Sequence, residues 1–305
     1  MQIAGATAKS SLFWREFWIL FGAGLTASAA LAAISHLPMT PIAIFLFVKG
    51  SLEGPALVSI AVAETVIGLL LTVGLGLLAA HSIGLGAPIL EKYLQRGSVV
   101  PYLRVAVIPT LLVGVLVGVW GIVPSLPIFH PNRRLIDRQV NELLNSPAET
   151  RIEKFVERTV GRRLTNVNLG PYYLSEAVSG ELGSRLFLLS GVAWILAKAS
   201  RAAPGTVPRT LLWVAIILTP LLAAAPSLAW HSVFQRLFSD AIGGIPLADD
   251  PLWLVATRLL VGSVPAGIGL GWLYVRRGLE AATIAAVIAG AASHLMTVLV
   301  LPRFY

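Results

Sequence analysis

Five ionisable side chains stand in or beside apolar runs at spacings that chemistry could use: Glu176, Glu181, Arg185, His231 and His294. Glu181 and Arg185 lie four residues apart in "SGELGSRLFLLSG", on one helix face and in the order that favours an ion pair. Charge at membrane depth is costly, so it is retained either for a function or to neutralise another charge. Read functionally, Glu181 ligates a metal or deprotonates a water, and Arg185 orients it or holds a substrate carboxylate. Read structurally, the two are a self-neutralising pair near a helix end. His231, in "PSLAWHSVF", and His294, in "GAASHLMTV", would complete an open zinc-type site if three helices turned Glu181, His231 and His294 toward one cavity. A lone helical histidine is more often a hydrogen-bonded packing residue. With no cysteine in the chain, a metal must be held by imidazoles and carboxylates.

The elements that would position these groups are membrane helices. Of the 305 residues, 56% are hydrophobic and 12% charged, and the mean hydropathy is +0.80, outside the range of soluble domains. Apolar runs of about 20 residues, enough for roughly 30 Å of helix, fall at 16–35, 55–80, 101–123, 178–198, 209–231, 252–275 and 278–302. The piece 38–50 is too short to cross alone and makes an eighth span only if it joins a neighbour. The expected fold is therefore an all-α polytopic bundle of seven or eight spans. The run from Phe17 to Ser35 ends without a small-residue cleavage site and reads as a retained first helix rather than a removed leader. Glu64 and Arg258 could pair across helices, while Arg104 and His81 sit near span ends, where snorkelling is the default.

Three regions follow: N-terminal transmembrane helices at 1–123, a polar insertion at 124–177 and a C-terminal transmembrane core at 178–305. In the insertion, Ser146 and Glu149 form a capping box, Pro147 fits the first helical position, and Ile152, Phe155, Val156 and Val160 make one apolar stripe. An amphipathic helix of this kind lies on the membrane surface or packs as a solvated hairpin on the span ends. The formal charge of +8 suits anionic lipid, and no soluble basic domain exists to take nucleic acid. With seven spans and the N-terminus inside, Lys9, Arg15, Lys92, Arg96, Lys198, Arg201, Arg209, Arg276 and Arg277 share the inner side, as the positive-inside rule favours, although the basic insertion then lies outside.

The order of the polar motifs in the C-terminal half resembles that of the CAAX protease and bacteriocin-processing (CPBP) family of intramembrane endopeptidases. The family pattern is Glu-Glu-x-x-x-Arg, then Phe-x-x-x-His, then His followed four residues on by Asn or Asp. "GELGSR" lies over the first motif, with Gly180 at its first Glu and Glu181 and Arg185 matching the rest. "SLAWH" lies over the second, with Ser227 in place of Phe and His231 on the histidine. In "YVRRGLEAATIAAVIAGAASHLM", the third-motif His falls on Ala286 and its partner on Gly290, with His294 four residues further along. "GLGAPILEKYLQRG" at 84–97 also looks like a loop of bacterial members.

The resemblance implies a multi-pass protein of a bacterial cell membrane with a CAAX-protease-like core, a membrane-associated or prenylated peptide as partner, and hydrolysis by a water activated by Glu and His, with a divalent ion such as zinc as a candidate cofactor. It also implies a degenerate active site, because Gly180, Ala286 and Gly290 replace groups taken to do the chemistry. Glu176, one turn before Gly180, and His294 are the candidate substitutes. Two functions stay open: an endopeptidase using Glu181 or Glu176 with His231 and His294, or a non-catalytic relative that keeps the helical cavity for binding, as a scaffold, chaperone or immunity-type protein for other membrane proteins or peptides.

Overall fold

The computed structural model describes residues 3–35, 55–129, 169–202, 207–241 and 251–300, and among these every regular element is helical. The expected short piece at 38–50 and the amphipathic helices of the insertion lie outside the described residues. The helices are α1 (Ile3–Ser35), α2 (Pro55–Ser82), α3 (Pro88–Leu94), α4 (Val100–Trp120), α5 (Leu169–Glu181), α6 (Ser190–Ala199), α7 (Arg209–Ala241), α8 (Leu252–Arg277) and α9 (Leu279–Leu299). A π-helical stretch, Leu182–Leu189, joins α5 to α6 in one continuous rod.

Among the described residues, six helical segments are long and apolar enough to cross a membrane: Pro55–Ser82, Val100–Ser125, Tyr173–Ala199, Arg209–Pro226, Leu252–Arg277 and Leu279–Leu299. The chain is thus a helical, multi-pass membrane protein by composition and architecture. The six correspond to six of the seven expected runs. The seventh, 16–35, is the C-terminal part of α1, which is not among them. Large apolar side chains such as Leu71, Leu78, Ile108, Leu112 and Leu116 face outward, as lipid in place of water allows.

Inside, the bundle is filled by small residues and a modest set of large ones. Phe17, Leu69, Val73, Leu77, Leu182, Leu186, Leu189, Ile216 and Tyr274 form the main core, and it draws on α1, α2, the π stretch, α7 and α8. Regions 1–123 and 178–305 therefore interleave in one bundle. Lipid offers no hydrophobic drive between helices, so contact rests on close backbone approach at small residues. Gly114 and Gly118, four apart on α4, face α9; a Cβ on Gly118 would stand 2.6 Å from Ala289 O and 2.6 Å from Ala292 Cβ. At Gly76 on α2, a Cβ would stand 2.8 Å from the carbonyl oxygen of Leu186, so the π stretch lies directly on the α2 backbone.

The two ends of the bundle are fastened by side chain to backbone bonds. At one, Trp120 Nε1 donates to Val261 O at 2.7 Å and Arg258 Nη2 donates to Phe129 O at 2.6 Å, which ties the turns after α4 to α8. Arg258 thus has a backbone partner at its span end. At the other, α8 ends at Gly278, whose φ of +93° suits glycine, and Leu279 N donates to Gly86 O at 3.1 Å. Ile83 packs with Ala193, Ala197 and Ala215 at this same end. The basic residues Lys92, Arg96, Lys198, Arg201, Arg209, Arg276 and Arg277 are therefore gathered at one end of the molecule.

Gly118→Ala should lower unfolding stability in mild detergent by about 1–3 kcal/mol, because the added methyl must separate α4 from α9. Gly68→Ala, where a Cβ meets nothing within 4 Å, should leave the thermal midpoint unchanged or slightly higher. Equal effects of the two would rule out the close seam.

Candidate functional site

The motif region is centred on the rod α5–π–α6. Glu181 ends the regular part of α5, and Arg185 follows inside the wide π turn. Both side chains are buried, and Arg185 Nε stands 3.5 Å from Glu181 Oε2. At that distance the facing atoms attract as charges without meeting hydrogen-bond geometry. One turn on, the π register brings Ser190 Oγ to 3.3 Å from Arg185 O and to 2.8 Å from Tyr274 Oη, joining the rod to α8. The spacing of Glu181 and Arg185 thus leads to an enclosed ion pair in the packed interior.

The other expected site residues are placed differently. Glu176 is exposed, and five residues along a helix turn it about 140° away from Glu181, so the two acids do not converge. Gly180 is exposed as well, and a Cβ there would meet nothing within 4 Å among the described residues. His294 lies against Tyr173, with ring centroids 6.0 Å apart and planes tilted by 51°. Tyr173 precedes Glu181 by eight residues, about 12 Å of helix rise, so His294 meets the far part of α5 rather than the level of Glu181. The Tyr173 ring also covers Gly290, where a Cβ would come within 2.7 Å of it. Ala286 packs beside Leu270, Leu273 and Ala281. His231 is on α7, and its side chain lies outside the described residues.

A second polar centre lies at the basic end of the bundle. His81, at the exposed end of α2, places its Nε2 2.9 Å from Glu16 Oε2 on α1. The Phe13 ring stands edge-on to it, centroids 5.7 Å apart. Glu16 is fully buried. Glu91, on α3, completes the group: one ligand-type atom from each of Glu16, His81 and Glu91 lies within 4.8 Å of the others. Gly86 keeps the space for Glu91, since a Cβ there would stand 2.7 Å from Oε1. Burial, and then the nearby Glu16 charge, push the Glu91 carboxyl above the usual carboxylate value.

Helix α3 is held in place from a distance. Its N-cap, Ala87, offers no side-chain cap, and the N–H of Leu90 donates instead to Glu280 Oε1 on α9 at 2.6 Å, supplying a partner that the first turn of a helix lacks. Pro88 packs against Gly278. The stretch "GAPILE" and the Gly-Leu-Glu at 278–280 thus make one joint.

Between α7 and α8 at this end, a groove of about 250 Å³ is lined by Arg209, Leu212, Trp213, Ile216, Trp272, Val275 and Arg276. It has an apolar wall with two guanidinium groups at its rim. No known family, curated protein or solved structure matches this chain.

Arg185→Met should destabilise the protein by about 3–5 kcal/mol, because it leaves Glu181 as a buried charge without its counter-ion. Adding Glu181→Gln to that variant should recover more than half of the loss in thermal unfolding. A double variant no more stable than Arg185→Met would show that the pair does not neutralise itself.

Proposed function

We propose that the chain is a non-catalytic membrane relative of the CPBP endopeptidases that binds the lipidated end of a peptide or protein. The supporting observation is the state of the three positions where the resemblance would put catalytic groups: Gly180 carries no acid, Ala286 packs among Leu270 and Leu273, and Gly290 lies under the Tyr173 ring. The Glu181–Arg185 pair then serves the frame, since its charges are spent on each other.

The α7–α8 groove is the binding surface in this reading. Its apolar wall of Leu212, Trp213, Ile216, Trp272 and Val275 suits a prenyl or acyl chain, and Arg209 and Arg276 suit the terminal carboxylate. The basic end faces the cytoplasm of a bacterial cell by the positive-inside rule, which is where such an end would be presented.

The test uses the full chain in nanodiscs with a fluorescent prenyl-peptide and a panel of membrane peptides. Saturable binding without turnover is expected, with Arg209→Ala/Arg276→Ala weakening it about tenfold or more, the loss of roughly 1.4 kcal/mol or more. Turnover abolished by His231→Ala and Glu181→Gln would replace this reading with the endopeptidase. Neither binding nor turnover would overturn both.

A further inference from the structure

We propose that Glu16, His81 and Glu91 form a divalent-cation site, a clamp that joins α1, α2 and the short helix α3 at the basic end of the bundle. This rests on a centre separate from both the motif region and the α7–α8 groove.

Geometry comes first. Three side chains from three elements converge with their ligand-type atoms within 4.8 Å of one another, and the closest pair, His81 Nε2 and Glu16 Oε2, are 2.9 Å apart. A cation bound at about 2.0–2.2 Å by imidazole nitrogen and carboxylate oxygen holds its ligands about 3.4 Å apart. Small rotations of Glu91 would therefore close the set around an ion. Gly86 leaves the room for this beside Glu91.

An independent observation comes from Glu16 itself. It is fully buried, and while Oε2 faces His81, Oε1 has no hydrogen-bond partner among the described residues. A carboxylate oxygen enclosed in that way carries a desolvation cost that a hydrogen bond or a metal would offset. A metal binds these ligands only in their deprotonated forms, and two carboxylates with a neutral imidazole then carry two negative charges, which one divalent ion matches. Glu280 stands behind α3, and its Oε1 is already engaged by Leu90 N.

The donor set defines the ion. One nitrogen and two carboxylate oxygens favour a borderline metal such as Zn²⁺, Fe²⁺ or Mn²⁺ over Mg²⁺ and Ca²⁺, which prefer oxygen alone. Three protein ligands leave at least one coordination position for water. The cluster is open at His81, whose side chain is 31% exposed, and the loop after α2 carries Gly84 and Gly86. Trp14 and Trp18 are exposed on α1 beside Phe13 and Phe17, residue types that are enriched at membrane–water interfaces.

The test uses the full chain, purified without a histidine tag and stripped with EDTA. Titration with Zn²⁺ and Mn²⁺, followed by calorimetry and elemental analysis, should give one tightly held ion per chain and a higher thermal midpoint. His81→Ala and Glu91→Gln should each weaken binding by more than about tenfold, the loss that removing even an outer-shell partner produces, while His231→Ala/His294→Ala should leave it unchanged. Because ligand variants can unfold, Co²⁺ loaded into the unaltered protein gives a second readout: its visible spectrum should report a nitrogen and oxygen ligand set. A stripped protein that takes up no ion, or binding that survives His81→Ala and Glu91→Gln but is lost in His231→Ala/His294→Ala, would overturn the site and leave a plain His81–Glu16 ion pair.

Discussion

Helices in lipid hold together by how closely their backbones approach, and this bundle depends on that constraint at Gly76, Gly114 and Gly118. Hydrocarbon outside the bundle is as apolar as the leucines within it, so burying more leucine surface gains little. Contact between main chains at glycine gives dispersion energy that neither lipid nor a larger side chain could supply. Where α2 touches the π stretch at Gly76, that contact also fixes the depth of the Glu181–Arg185 pair. Where α4 meets α9, it fixes the helix whose first turn holds α3.

Enclosed charges in such a bundle need partners near at hand, and the chain meets this need in two ways. Glu181 and Arg185 come from adjacent turns of one rod, so their pairing survives any arrangement of the other helices. Glu16, His81 and Glu91 come from separate elements, and they meet only because the loop after α2 folds back against α1 and α9. The first arrangement is local and robust. The second exists only in the assembled molecule.

This difference explains what could be read from sequence. Hydropathy located six of the spanning segments, because length and apolar content are properties of a single segment. The Glu181–Arg185 pair was legible from a spacing of four. The second centre was not: Glu16 and His81 are 65 residues apart, and no periodicity links them. The signals in the sequence are indirect, an acid inside the aromatic run "FWREFW" and a glutamate in the loop "GLGAPILEKYLQRG". His294 and Glu181 share a polar character in apolar surroundings, which suggests one site, but α9 carries His294 past that level to Tyr173. The wide turn after Glu181 leaves no mark in composition, since it depends on Ser190 reaching Arg185 and Tyr274.

That wide turn has a mechanical consequence. A π segment takes up an additional residue while the helix on either side keeps its own phase, so α5 and α6 can each face their neighbours correctly without bending the rod. The Leu182–Leu189 stretch therefore works as a slack coil: a one-residue deletion there would tighten it into ordinary α-helix, whereas the same deletion in α4 would swing half of its glycine seam out toward the acyl chains.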